Sequence, residues 1–177
     1  MASRNFRMFD IKNDVLDYPF ESKQEETAAL RSLMTGNASL SIDDLRRVAF
    51  WKLDRVINVP DSVIHHLQHL ANEKDLTADS DDSRKALESP VDCEGVGFPM
   101  ASAFLKFLRP DIFPIIDVRA YRALTGTRLR HHSYSVGLYL DYARRVREIA
   151  NALGKKLYEI DEQLYCFDRN HNGAIDS

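Results

Sequence analysis

The sequence predicts an all-α protein, and three observations predict it. Apolar residues recur at helical spacing along nearly the whole chain. No segment shows the strict apolar–polar alternation of a half-buried strand. Capping residues, prolines and glycines fall at the edges of the helical patterns, where they start or stop helices. The chain has 177 residues, 44% hydrophobic and 29% charged, enough for one domain or for two small lobes sharing a core.

The elements follow in order. Ser41 and Asp44 form a capping pair before LRRVAFWKLDRVI, an amphipathic run. Pro60 opens the next helix, DSVIHHLQHLANEK, because the first helical position needs no amide donor. The acidic stretch DLTADSDDSRK then reads as a separator before a short helix around Ala86 and Leu87. Pro99 opens MASAFLKFL and Pro110 ends it. Another helix begins at or just after Asp117. The run from Ser135 to Leu153 sets Val136, Leu140, Ala143, Val146, Ile149 and Leu153 on one face, with Gly154 as its stop. A last helix covers Ile160 to Phe167, giving about seven to nine helices in all.

Composition excludes several classes. No window approaches the roughly 18 consecutive apolar residues of a membrane helix, and MASRNFRMFDIKND lacks the apolar region of a signal peptide. Two cysteines, Cys93 and Cys166, cannot build a disulfide framework or a four-cysteine zinc or iron–sulfur site. A soluble, cytoplasmic protein is expected, nucleoid-associated if bacterial. The net charge of -3 hides an asymmetry: residues 72–94 hold eight acids and three bases, residues 95–158 eleven bases and four acids. Such segregation suits a polyanion-binding face. Arg144 and Arg145 on the long helix, with Arg128 and Arg130 in the loop RLRHHSYS, are its candidate members; Arg144, Arg145 and Arg147 equally suit a solvated helix face.

The segment VDCEGVG between two helices carries the sharpest chemistry. Gly95 and Gly97 permit positive φ and close backbone approach, and the helix that follows offers unpaired N–H groups at its positive end. Together they form an anion site suited to a phosphodiester oxygen. Farther on, Asp117 stands either as the N-cap of VRAYRAL or as a working carboxylate, and the two roles are compatible.

The stretch EGVGFPMASAFLKFLRPDIFPIIDVRAYRAL, Glu94–Leu124, resembles the helix-hairpin-helix DNA glycosylase superfamily, the HhH-GPD family. Gly95, Val96 and Gly97 match its hairpin, and Ala101 its small helix residue. Pro110 and Pro114 match the connecting segment, Asp117 the catalytic Asp, and Arg122 the Arg that follows it. The resemblance implies a two-lobed helical fold with lobes at 41–115 and at 1–40 plus 116–177. It implies a base excision repair enzyme acting on double-stranded DNA, in which a damaged or modified base is flipped out and its glycosidic bond hydrolysed. Asp117 would stabilise an oxocarbenium-like sugar or orient the attacking water. Gly95, Val96, Gly97 and Phe98, with Arg119 and Arg122, join the DNA-binding candidates. The resemblance implies no required cofactor, and it implies a monovalent cation held at the hairpin by the carbonyls of Val91, Cys93 and Val96. A monomer without membrane contact is expected.

Departures from the family pattern narrow the expectation. Bifunctional members carry a lysine nucleophile where this chain has Pro99, so base removal without strand cleavage is expected. Lys52 is the alternative amine, ahead of Lys106. Cys93 and Glu94 replace the usual Leu-Pro, and an acid beside a phosphate site is repulsive. The run WKLDR, Trp51 to Arg55, supplies Trp51 as a base-stacking candidate or, as commonly, a core residue. Lys52, Tyr121 and Tyr134 complete the candidate base pocket.

Two metal patterns read as decoys. His65, His66 and His69 lack the Glu of HExxH and read as ordinary helix residues. Asp168, Asn170, Asn172 and Gly173 match half of a calcium loop, and a turn capping the last helix is expected instead. Two other readings stand beside the glycosylase: a non-catalytic helix-hairpin-helix DNA-binding module, and a helical scaffold for protein partners.

Overall fold

The computed structural model describes residues 6–19, 24–37, 39–53 and 57–175, with the side chains of Leu53 and His131 excepted. Arg55 of the WKLDR run therefore lies outside the described residues. These residues form eight α-helices and one 3-10 turn, with no strand among them. The helices are α1 (Gln24–Met34), α2 (Ile42–Leu53), α3 (Asp61–Asn72), α4 (Asp81–Val91), α5 (Phe98–Leu108), α6 (Val118–Thr125), α7 (Val136–Leu153) and α8 (Leu157–Asn172), with the 3-10 turn at His131–Ser133. Among the described residues no helix is long and apolar enough to cross a membrane.

The chain divides into two compact units, Ser22–Ile115 and Met1–Glu21 with Ile116–Ser177. The first boundary differs from the expected one at residue 40. Helix α1 packs on α2 and α5, burying Leu30 and Met34, so it belongs with the hairpin.

In the hairpin unit α5 is the central helix. Every residue from Met100 to Leu108 is buried, as expected of a helix apolar on all sides. Helices α1 to α4 each pack against it. The capping pair before α2 forms as expected: Asp44 Oδ2 accepts from Ser41 N at 3.0 Å and from Ser41 Oγ at 2.8 Å. Asp44 N donates back to Ser41 Oγ at 3.3 Å.

The acidic stretch is not a separator throughout. Ser80 caps α4, its Oγ accepting from Ser83 N at 3.2 Å, and Asp81 and Asp82 occupy the first turn, where the helix dipole favours anions. At the far end of α5, Arg109 donates to Glu73 O at 2.6 Å and to the Asp111 carboxylate at 3.0 and 3.1 Å. This ties the end of α3 to the end of α5.

The second unit is built on α6, α7, α8 and the segment 6–19. Tyr139, Tyr142 and Val146 of α7 join Ile160, Leu164 and Phe167 of α8 in its core. Inside lies an ion pair: Arg122 donates from Nε to Asp168 Oδ1 and from Nη2 to Oδ2, both at 2.7 Å. Arg122 is 2% exposed and Asp168 0%. Arg119 adds a bond to Oδ2 at 3.2 Å and Asn172 one to Oδ1 at 2.8 Å.

Two side-chain amides strap the N-terminal segment to α8. Asn172 accepts from Arg7 N at 2.8 Å and donates to Arg7 O at 3.1 Å. Gln163 does the same for Tyr18, both bonds at 2.8 Å. Phe9 N donates to Ala123 O at 2.7 Å. Gly126, with φ at +69°, caps α6 directly against Met8; a Cβ there would lie 2.6 Å from Met8 Cγ.

Helix α8 is longer than the sequence predicts, and this corrects the reading of DRNHNG. Asp168, Asn170 and Asn172 lie on the helix itself, and only Gly173 follows it. The Asp168 carboxylate is saturated by Arg122, Arg119 and Asn172. Among the described residues no group of three or more His, Cys, Asp or Glu side chains is arranged to hold a metal.

Removing one member of a buried pair leaves the other charge uncompensated. Asp168→Ala is expected to lower the unfolding free energy by about 3–5 kcal/mol, read from urea denaturation. A replacement of both partners by apolar residues should recover much of that loss.

Candidate functional site

Two groups of residues carry chemistry, one in each unit. The first is the turn Asp92–Gly97 between α4 and α5. It is held by its own amides: Cys93 N donates to Pro90 O at 3.0 Å and Val96 N to Cys93 O at 3.1 Å. Val96 is buried, anchoring the turn. Asn58 N donates to Glu94 O at 3.3 Å, and the Glu94 side chain is exposed. At the start of α5 the Gly97 carbonyl accepts from both Met100 N (2.9 Å) and Ala101 N (3.0 Å). Pro99, the second residue of α5, has no N–H to offer. The N–H groups of Gly95 and Gly97 have no partner among the described residues.

The two glycines serve different needs. Gly95 has φ at +80°, a conformation that side chains resist. Gly97 has φ at −102°, open to any residue, and a Cβ there would meet only Pro99 Cδ at 3.9 Å. The fold therefore requires a glycine at 95 and not at 97. Between the two acids Asp92 and Glu94, Cys93 is half-buried; burial first, and the Asp92 charge second, push its thiol pKa up. It is a poor nucleophile.

The second group surrounds Asp117. Asp117 is the N-cap of α6, its Oδ1 accepting from Ala120 N at 2.7 Å. Its Oδ2 has no hydrogen-bond partner among the described residues. Tyr134, half-buried, has its pKa pushed up to about 12 by burial, with the Asp117 charge adding to it. Tyr142 is fully buried, and burial followed by Asp161 and Asp117 raises it well above the ordinary value. Its ring lies 6.3 Å from that of Tyr121, which sits on the first turn of α6. Asp161 of α8, 4% exposed, bears on Tyr139 as well. Tyr121, four residues after Asp117, donates its backbone N–H to Asp117 O at 3.0 Å.

The basic candidates separate by environment. Arg122, expected to face DNA, does not, because its guanidinium is buried on Asp168. Arg119, its side chain 17% exposed, donates to Asp168 and to Gly173 O at 2.8 Å. Arg145 donates to Leu124 O at 2.9 Å and so caps α6 rather than standing free. Arg144 is exposed but flanked by Asp141 and Glu148, whose hydrogen bonds to it raise its pKa. Arg128 and Arg130 are exposed and have no ion pair among the described residues.

The other candidates belong to the hairpin unit. Trp51 donates from Nε1 to Thr27 Oγ1 at 3.0 Å and meets Phe107 edge-on at 5.1 Å. Its indole is engaged in packing α1, α2 and α5, and the residue is half-buried. Lys52 and Phe98 are half-buried, and Lys106 is 2% exposed within α5. His65 and His66 make ordinary contacts, with Gln68 Oε1 at 3.0 Å and Asp82 O at 3.3 Å.

Sequence reasoning missed Asp161 and Tyr142, and saw Asp168 only as part of half a calcium loop. The signal was present: both acids sit among Ile160, Leu164 and Phe167, on the apolar face of one helix.

Gly97→Ala is expected to leave stability within about 0.5 kcal/mol of wild type, while Gly95→Ala costs about 1–2 kcal/mol, both measured by denaturant unfolding. At high pH a second effect appears. Tyrosine in the unfolded chain ionises near pH 10, whereas Tyr134 in the folded chain resists to about 12. Below that window both states are protonated and the stability is intact; as pH rises through it only the unfolded state gains by ionising, so stability falls. Urea unfolding at stepped pH should show a shallower decline in Tyr134→Phe. Set against protein-family models, curated proteins and solved structures, the chain matches none.

Proposed function

We propose that the chain is a monofunctional DNA glycosylase of base excision repair, with the two-lobed HhH-GPD fold. It would hydrolyse the glycosidic bond of a damaged or modified base flipped out of double-stranded DNA. The observation that carries this reading is Asp117. One oxygen is fixed on the start of α6 and the other has no partner among the described residues, which is the state a carboxylate needs to face a developing oxocarbenium ion or a water. A pure DNA binder gains nothing from such an acid, since it repels phosphate.

The hairpin supports the same reading. Unpartnered amides at Gly95 and Gly97, with a glycine at 97 that the backbone does not require, suit close approach of a phosphodiester. The carbonyls of Val91, Cys93 and Val96 are the proposed ligands of a monovalent cation beside it. Cys93 gives one lone pair to Val96 N and retains the other. Pro99 offers no amine, and Lys106 is enclosed in α5, so water is the proposed nucleophile.

A second reading, a DNA-binding module without catalysis, is favoured by the exposed Glu94 next to the hairpin amides, where it weakens the grip on phosphate. One experiment separates the two. The protein is incubated with duplexes carrying a panel of damaged bases, and abasic sites are then cleaved with alkali. Base release is expected from wild type and should fall by roughly 100-fold or more in Asp117→Asn, with no covalent adduct on borohydride treatment. Salt-sensitive binding without release on any substrate would favour the module; a borohydride adduct would refute hydrolysis by water and direct attention to Lys52.

A further inference from the structure

The unit that holds Asp117 is rich in arginine, and many of its cations are occupied. Arg7 pairs with Asp14, Arg119 and Arg122 with Asp168, and Arg144 with Asp141 and Glu148. Arg145 caps α6, and Lys155 donates to Leu16 O. Arg128 and Arg130, like Lys12 and Arg169, are exposed and have no ion pair among the described residues, and of these four only Arg128 and Arg130 share one loop.

That loop, Gly126 to Ser135, is shaped to hold them together. Leu129 between them is buried, 5% exposed. Arg130 has extended backbone, φ −92° and ψ 151°. Arg128, Leu129 and Arg130 are exposed, buried and exposed in turn, the alternation of extended chain, which sets the two arginines outward on the same face. Two residues of extended chain set their Cα atoms about 6.6 Å apart, a separation that neighbouring phosphates of one strand present.

The loop is also tethered at both ends. Gly126 is locked against Met8. At the other end, Ser135 caps α7 by accepting from Leu138 N at 3.2 Å, and α7 runs back along α6, with Tyr142 beside Tyr121 of its first turn and Arg145 on Leu124 O near its end. Since α6 has eight residues, the loop retraces about 12 Å from the end of that helix to its start. No acid occurs between Asp117 and Asp141, so nothing on this stretch offsets the two arginines. His132 is exposed beside them.

We propose that the 127–133 loop is the phosphate-contacting element of this unit. Arg128 and Arg130 each take one phosphate of the DNA strand whose sugar Asp117 engages. At about 3.4 Å of axis per nucleotide, the 12 Å span confines these phosphates to within about three or four nucleotides of that sugar. This assignment rests on the glycosylase reading. It confines to the loop the basic DNA-facing surface that the sequence spreads over Arg128, Arg130, Arg144 and Arg145.

The test measures binding to a fluorescent duplex containing one stable abasic-site analogue, by anisotropy over a series of salt concentrations. Wild type, the double variant Arg128→Gln/Arg130→Gln and the single variant Arg144→Gln are compared. The slope of log affinity against log salt should flatten by about one for each phosphate no longer neutralised, so by about two in the double variant. It should not change in Arg144→Gln. Unchanged melting temperatures, expected for exposed positions, show that the variants are folded. An unaltered slope in the double variant overturns the loop assignment and leaves the glycosylase reading in place. Equal flattening by Arg144→Gln also overturns the assignment, because net charge rather than this loop would then account for binding. Absence of salt-sensitive binding by wild type overturns both.

Discussion

The Asp168 carboxylate, enclosed in protein, is the constraint on which the second unit depends. A buried charge is costly unless its partners fill every lone-pair direction, and here they do. The planar fork of Arg122 takes both oxygens, a pairing that a lysine could not reproduce, while Arg119 and Asn172 complete the shell. Such bonds are directional, so they fix the rotation of α6 against α8 in a way that apolar packing alone does not. Asp117 begins that same helix. The position of the candidate acid is therefore set, through α6, by a carboxylate that takes no part in chemistry. Aromatic contacts extend the arrangement: the Phe6 ring lies 4.4 Å from the Arg122 guanidinium carbon, and Arg7 lies over Phe167 at 5.1 Å.

What was legible in the sequence was local. Ser41 with Asp44, Asp117 before α6, Ser135 before α7 and Gly154 after it are decided by neighbours three or four residues away, and each stands as expected. The periodicity of α2, α3, α5 and α7 was readable for the same reason. The limits of α4 and α8 were not. DSDDSRK looks like linker because its residues are polar, yet polarity is what a helix start under Ser80 requires. DRNHN looks like a cation loop because its acid is read as free, and the partner that neutralises it lies 46 residues earlier.

The same distinction applies to the candidate site. Arg119, Arg122, Arg128, Arg130, Arg144 and Arg145 are alike as letters in a sequence, and only their distant neighbours separate them. A cation within reach of a carboxylate or an open helix end is absorbed by the fold. Arg128 and Arg130 escape because the loop that bears them contains no acid. Trp51 follows the same logic: Thr27, on a helix earlier in the chain, accepts its indole N–H. Asp117 was identifiable because its N-cap role is local and its motif is contiguous, whereas the tyrosines around it come from α6, α7 and the loop between them.

The straps formed by Asn172 and Gln163 have a consequence for how the chain comes to be folded. They join the segment 6–19 to α8, with pairings 165 and 145 residues apart. Contacts this remote carry a high closure entropy and form late. On a ribosome every residue of the hairpin unit, Ser22–Ile115, is joined to the chain before α6 is made. The segment 6–19 is synthesised ahead of that unit, yet its partners, Ala123 of α6 and Gln163 and Asn172 of α8, are made after it. The two units therefore acquire their partners in the reverse of the order in which their first residues are made, and the Asp117 unit closes after the hairpin unit.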